Sequence, residues 1–91
     1  MKYTMKLVFK YDSGHGWGKV LLSELLKYNL IEKISEYSYV DDKLKYAYLE
    51  EDCDLGLYID ELKNKNINIE FDFVNDGEYS NIRNMNSFNF N

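Results

Sequence analysis

The chain has 91 residues, 45% apolar and 16% aromatic, with nine Tyr, five Phe and no Pro. That size and composition describe one domain around one core and exclude a disordered chain. The single cysteine, Cys53, cannot close an internal bridge, and no apolar run reads as a leader or a membrane span, so a reducing, cytoplasmic setting is expected.

The formal charge of −5 is unevenly placed. Residues 1–33 carry six lysines against Asp12, Glu24 and Glu32, a balance of +3. From residue 34 onward thirteen carboxylates face Lys43, Lys45, Lys63, Lys65 and Arg83, a balance of −8. Nucleic-acid binding needs the opposite excess, whereas an acidic domain suits a basic protein surface.

In chain order, residues 2–11 alternate, with Tyr3, Met5, Leu7, Phe9 and Tyr11 on one face and Lys2, Thr4, Lys6, Val8 and Lys10 on the other, as in a strand with one wet face. Three glycines in five positions follow, Gly14, Gly16 and Gly18, around the only His and the only Trp, His15 and Trp17. Their expected use is backbone freedom. Residues 17–20 read as a short returning strand and residues 21–28 as a short helix. Asn29 suits a left-handed close, with Leu30 folding back on Leu25. Residues 31–35 allow one more turn.

Residues 36–40 and 44–49 read as a hairpin around Asp41-Asp42-Lys43, with Tyr37, Tyr39, Tyr46 and Tyr48 sharing a face. An acidic corner of Glu50, Glu51, Asp52 and Asp54 then opens an amphipathic helix carrying Leu55, Tyr58, Ile59 and Leu62. Gly56 inside that helix implies close approach of another backbone. Residues 67–73 alternate again, and Asn75-Asp76-Gly77 is a turn signal. The segment 78–91 has no firm period, but Ile82, Met85, Phe88 and Phe90 suit docking on the body, with Arg83 tying it to a carboxylate.

The expected fold is α+β: an antiparallel sheet of four to five strands with two helices on one face, in a ferredoxin-like-related order β-β-α-β-β-α-β. Residues 1–91 form a single compact domain, with 78–91 a docked tail.

Nucleotide-binding motifs fail residue by residue. A phosphate loop G-x-x-x-x-G-K-[ST] would need Gly at Ser13 and Ser or Thr at Val20, and the dinucleotide pattern has its third glycine one place early. One His and one Cys make no zinc site, and the EF-hand pattern is absent, so no metal or cofactor is expected. His15 with Asp12 or Cys53 could still serve an enzyme, although no recognisable spacing supports it.

Four segments, Gly14-His15-Gly16-Trp17, Ser35-Glu36-Tyr37-Ser38-Tyr39, Tyr48-Leu49-Glu50-Glu51-Asp52-Cys53-Asp54 and Ile82-Arg83-Asn84, resemble a family of small phage, prophage and plasmid accessory proteins. Its members have no assigned activity, so no functional residue carries over. The chain departs from that pattern at Gly18 and Asn29. Small size, the −8 balance after residue 33, the lack of a catalytic constellation and this resemblance together lead to the expectation of a mobile-element protein that binds and inhibits a host protein, most concretely a defence nuclease complex in anti-CRISPR fashion.

The partner-facing candidates are Asp41, Asp42, Glu50, Glu51, Asp52 and Asp54 as an acidic surface, with His15 and Trp17 as anchors. The expected partner is a host protein with a basic surface. No membrane is involved, direct nucleic-acid binding is disfavoured, and a homodimer is left open. The alternatives are a small enzyme centred on His15, Asp12 and Cys53, and a nucleic-acid binder using Lys2, Lys6, Lys10 and Lys19 with Trp17.

Overall fold

In the computed structural model, which describes residues 3–89, the first alternating run forms strand β1 (Tyr3–Tyr11). A tight turn returns the chain as β2 (Gly16–Leu21), and helix α1 (Leu22–Lys27) follows at once. A 3₁₀ turn (Ile31–Lys33) leads to β3 (Tyr39–Val40) and β4 (Tyr46–Glu50). Helix α2 (Asp54–Asn64), strand β5 (Ile67–Asn75), a second 3₁₀ turn (Asn81–Asn84) and β6 (Asn86–Ser87) complete the order.

The class is α+β, but the sheet differs from the expected one. It has six strands in the order β5-β1-β2-β4-β3-β6, and it is mixed. All neighbours are antiparallel except β1 and β5, which run parallel from Tyr3 opposite Ile67 to Tyr11 opposite Asn75. The cause lies in α2. A strand–helix–strand crossover returns the chain in its original direction. β4 already runs parallel to β1, because two antiparallel steps through β2 separate them. Carried across the sheet by α2, β5 therefore arrives parallel to β1, and the ferredoxin-like order does not form.

The main core lies between the helices and one sheet face. Leu7, Val20, Ala47 and Leu49 from the strands meet Leu25, Leu55, Tyr58 and Leu62 from the helices. Helix α1 closes as its sequence implies. Asn29 adopts φ 58°, its N–H donates to the Leu26 carbonyl at 3.2 Å, and the Leu30 N–H donates to Leu25 at 2.8 Å. On the opposite face a smaller cluster of Trp17, Tyr48 and Ile82 is flanked by Tyr39, Tyr46 and Met85. The 79–85 segment thus covers part of the second face through Ile82 and Met85, and β6 pairs with β3 beyond it. Phe88 is buried in the main core, whereas Phe90 lies outside the described residues.

The glycines serve space more than angle. None of Gly14, Gly16 and Gly18 has a positive φ. A side chain on Gly16 would strike the Phe9 ring, and one on Gly18 would strike Leu55 of α2. Leu55 fills the room that a larger residue at position 18 would need.

Gly56 corrects the close-approach expectation, since among the described residues nothing lies within 4 Å of where its Cβ would stand. Gly56→Ala should therefore stabilise the fold by about 0.5–1 kcal/mol, through helix propensity and a less free unfolded chain. A rise in the urea midpoint without a change of slope would show it; a fall would mean that α2 tolerates no methyl there.

Candidate functional site

The loop between β1 and β2 is organised by Asp12. Its Oδ1 accepts the N–H groups of Gly14 (3.0 Å) and His15 (2.9 Å), while its own N–H donates to the His15 carbonyl at 2.9 Å. The same carboxylate receives Arg83 bidentately, Nε to Oδ2 at 2.6 Å and Nη2 to Oδ1 at 2.8 Å, and the Ser80 N–H at 2.9 Å. Arg83 is thus the expected tie between tail and body. Gly14 leaves room for it: a Cβ there would stand 3.0 Å from Nη2. The guanidinium also faces the Trp17 and Tyr79 rings at 5.4 and 5.3 Å.

The Arg83 guanidinium beside Asp12 holds its carboxyl well below the usual carboxylate range. Burial pushes the other way, and the N–H bonds from Ser80, His15 and Gly14 add to the lowering. A depressed folded value means that the stabilisation is fully present above the unfolded value, about 3.9, and drains away as pH falls through the folded one. Asp12→Asn should therefore be less stable than the parent at neutral pH, with the gap narrowing on acidification below about pH 4. Denaturant melts from pH 7 to pH 2 test this, and a gap independent of pH would contradict the shift.

The acidic corner is built differently from a solvated helix start. Glu50 folds over the first turn of α2: its carboxylate accepts the N–H groups of Asp52 (2.9 Å), Cys53 (2.7 Å) and Asp54 (3.1 Å). Partial burial opposes its ionisation, but those donors and nearby His15 outweigh it and hold the carboxyl below its ordinary range. Asp54 is only 2% exposed. Its oxygens accept the Ser35 N–H at 3.1 Å, the Ser35 hydroxyl at 2.6 Å and the Ser38 hydroxyl at 2.5 Å. Ser38 Oγ in turn accepts the Glu50 N–H at 3.0 Å. Asp54 is therefore removed from the partner-facing set, because its carboxylate knits the 35–38 segment to α2.

The other acidic candidates divide. Asp41 Oδ1 accepts the N–H groups of Lys45 (2.8 Å) and Tyr46 (3.3 Å), fixing the β3–β4 turn, with Asp42 exposed beside it. That turn lies at the opposite end of β4 from Glu50, roughly 13 Å away at strand rise. The expected single acidic surface is thus two separate ones, and only Glu51 and Asp52 remain exposed at the corner.

Between the corner and the Asp12–Arg83 pair opens a cleft of about 510 Å³. Its walls include His15, Trp17, Tyr37, Tyr39, Asp52 and Arg83, so all four segments of the sequence fingerprint meet there. Ser35, Glu50 and Cys53 complete it. Tyr37 is 73% exposed on its rim, whereas Trp17 is 2% exposed and serves as wall. Sequence reasoning did not single out Tyr37, Tyr39 or Arg83 for this cleft. Their membership of the fingerprint segments was the available signal.

The chemistry of the cleft follows from these placements. His15 and Cys53 share it, and Cys53 is exposed, but no hydrogen bond joins them among the described residues. Asp12 is committed to Arg83 and to backbone, so the Asp12-oriented form of the enzyme reading loses its third member. Among the described residues no group of three or more His, Cys, Asp or Glu side chains converges as metal ligands. The nucleic-acid alternative loses its stacking platform with Trp17 buried. Lys6, Lys10 and Lys19 do lie on the outer sheet face, with Lys10 3.7 Å from Asp76 and Lys19 4.2 Å over the Tyr46 ring, while Lys2 lies outside the described residues. Among the described residues no helix is long and apolar enough to cross a membrane. No family model, no curated protein and no solved structure matches the chain.

Proposed function

We propose that the chain is a non-catalytic binding protein whose cleft and acidic rim seat a basic segment of a partner protein. The observation that supports this reading is the meeting of the Tyr37 and Tyr39 rings with the Glu50 and Asp52 carboxylates around one opening. The one strong cation on the wall, Arg83, is already matched by Asp12. A partner's Arg or Lys side chain entering there gains ring faces and carboxylate acceptors together. The −8 balance after residue 33 steers association in the same direction. In its most concrete form the partner is a host nucleic-acid effector such as a defence nuclease complex. The protein is then an inhibitor carried by a phage or other mobile element and acting in the host cytoplasm. The fingerprint resemblance supports that origin.

The test uses an arginine-rich capped peptide at low salt, followed by amide and aromatic NMR shifts. Shifts centred on Tyr37, Tyr39 and Asp52 are expected. Glu51→Lys with Asp52→Lys, both at exposed positions, should weaken binding roughly tenfold with the fold intact. Equal affinity of that variant overturns the acidic-rim reading. The same pair of proteins in a nuclease-interference assay separates an inhibitor from a bystander: the parent should protect the target and the variant should not.

A further inference from the structure

A second opening, of about 740 Å³, lies between β1 and the end of β2 that leads into α1, at the opposite end of β2 from the cleft. It arises from a fork in the sheet. β1 pairs with β5 along its full length, but with β2 only over residues 8–11. Continuing that register would set Leu7 opposite Val20 and Lys6 opposite Leu21. Instead β2 stays on β4 as far as Leu21 opposite Tyr46, and the chain then leaves the sheet as α1, its Leu22 N–H donating to the Lys45 carbonyl at 2.9 Å. Residues 3–7 therefore present one side of an extended backbone to the opening, held straight from the other side by β5. Strand amides and carbonyls need partners, and an edge of this kind is a template for another strand.

We propose that this fork binds an extended peptide segment of a partner protein, with acidic and apolar residues alternating, by adding it as a strand beside residues 3–7. The walls set that chemistry. Toward the helices the opening is lined by Met5, Tyr28, Tyr58 and Ile67, an apolar floor for every second guest residue. Toward the outer face stand Lys6 and Lys19, with Lys27 at the α1 end. The one carboxylate of the lining, Glu24, is engaged from within: it accepts the Tyr58 hydroxyl at 3.0 Å and lies 3.9 Å from Lys27. With Glu24 and Lys27 set against each other, Lys6 and Lys19 remain in excess and favour a negative guest. The chain's own C-terminal strand is not the occupant, because β6 pairs with β3 at the far edge of the sheet. This site stands apart from the cleft and calls for a guest of opposite charge.

The experiment titrates the protein with a capped hexapeptide of alternating Glu and Val, its Lys–Val counterpart, and the Glu–Val peptide N-methylated on alternate residues. Expected results are NMR shifts and slowed amide exchange at residues 3–7 with the Glu–Val peptide alone. Lys6→Glu with Lys19→Glu should weaken it roughly tenfold. Equal binding of the N-methylated peptide would overturn strand addition, and preference for the Lys–Val peptide would overturn the acidic guest. Absence of shifts at millimolar Glu–Val peptide overturns the site. A monomer–dimer equilibrium in sedimentation, abolished by the double lysine variant, would give the fork to a second copy and overturn the partner peptide.

Discussion

Trp17→Ala is expected to cost about 4 kcal/mol, the usual loss for a fully buried large aromatic side chain. The ring is the centre of the second-face cluster, edge-on to Tyr39 at 6.2 Å and facing the Arg83 guanidinium, with Ile82 beside it. Its removal takes away the surface on which residues 79–85 rest, so the deficit extends beyond the cavity. Far-ultraviolet dichroism in urea reads the loss, since Trp17 is the only tryptophan and tryptophan fluorescence disappears with it. Ile82→Ala alone should cost about 3 kcal/mol. Because the two side chains support one segment, the double variant should lose less than the sum. Full additivity would show that the tail docks through other contacts.

Asp54→Ala comes next, at about 3 kcal/mol. It strands the Ser35 N–H and two hydroxyl groups that now converge on one buried carboxylate. Asp54→Asn keeps the volume but turns an NH₂ donor toward groups that are themselves donating, so it should recover little. A loss under about 1 kcal/mol for Asp54→Ala would mean that water or a rearranged Ser38 satisfies these groups. Either variant should also disturb the cleft, since Ser35 lines it and Ser38 holds the Glu50 N–H.

Both residues illustrate what a one-dimensional reading can and cannot reach. The alternation of Tyr3 to Tyr11 and of Ile67 to Phe73 is visible because a strand shows its faces with a period of two. The Asn29–Leu30 close and the anchoring of Arg83 are visible because each has a local or chemically narrow solution. Periodicity names the face of a strand but not its neighbour, so the parallel β1–β5 pairing stayed hidden. The role of Asp54 stayed hidden for a related reason: its partners, Ser35 and Ser38, lie a whole hairpin away along the chain. Glu50 and Asp54 look like any acidic helix start until burial depth is known. The cleft needed four distant segments to meet, and the fork needed one strand to choose β4 over β1.

The β1–β5 pairing also sets when the fold can form. Tyr3 finds Ile67 only after the hairpin, α2 and most of the chain have been made. Until then β1 has its short antiparallel contact with β2 and nothing on its other flank. Trp17 waits at least as long, staying open until Ile82 arrives. Folding of this protein is therefore gated by distant contacts, which should make it slower than a helical bundle of the same size. On the ribosome, β1 emerges ahead of the other strands of its sheet and is secured nearly last.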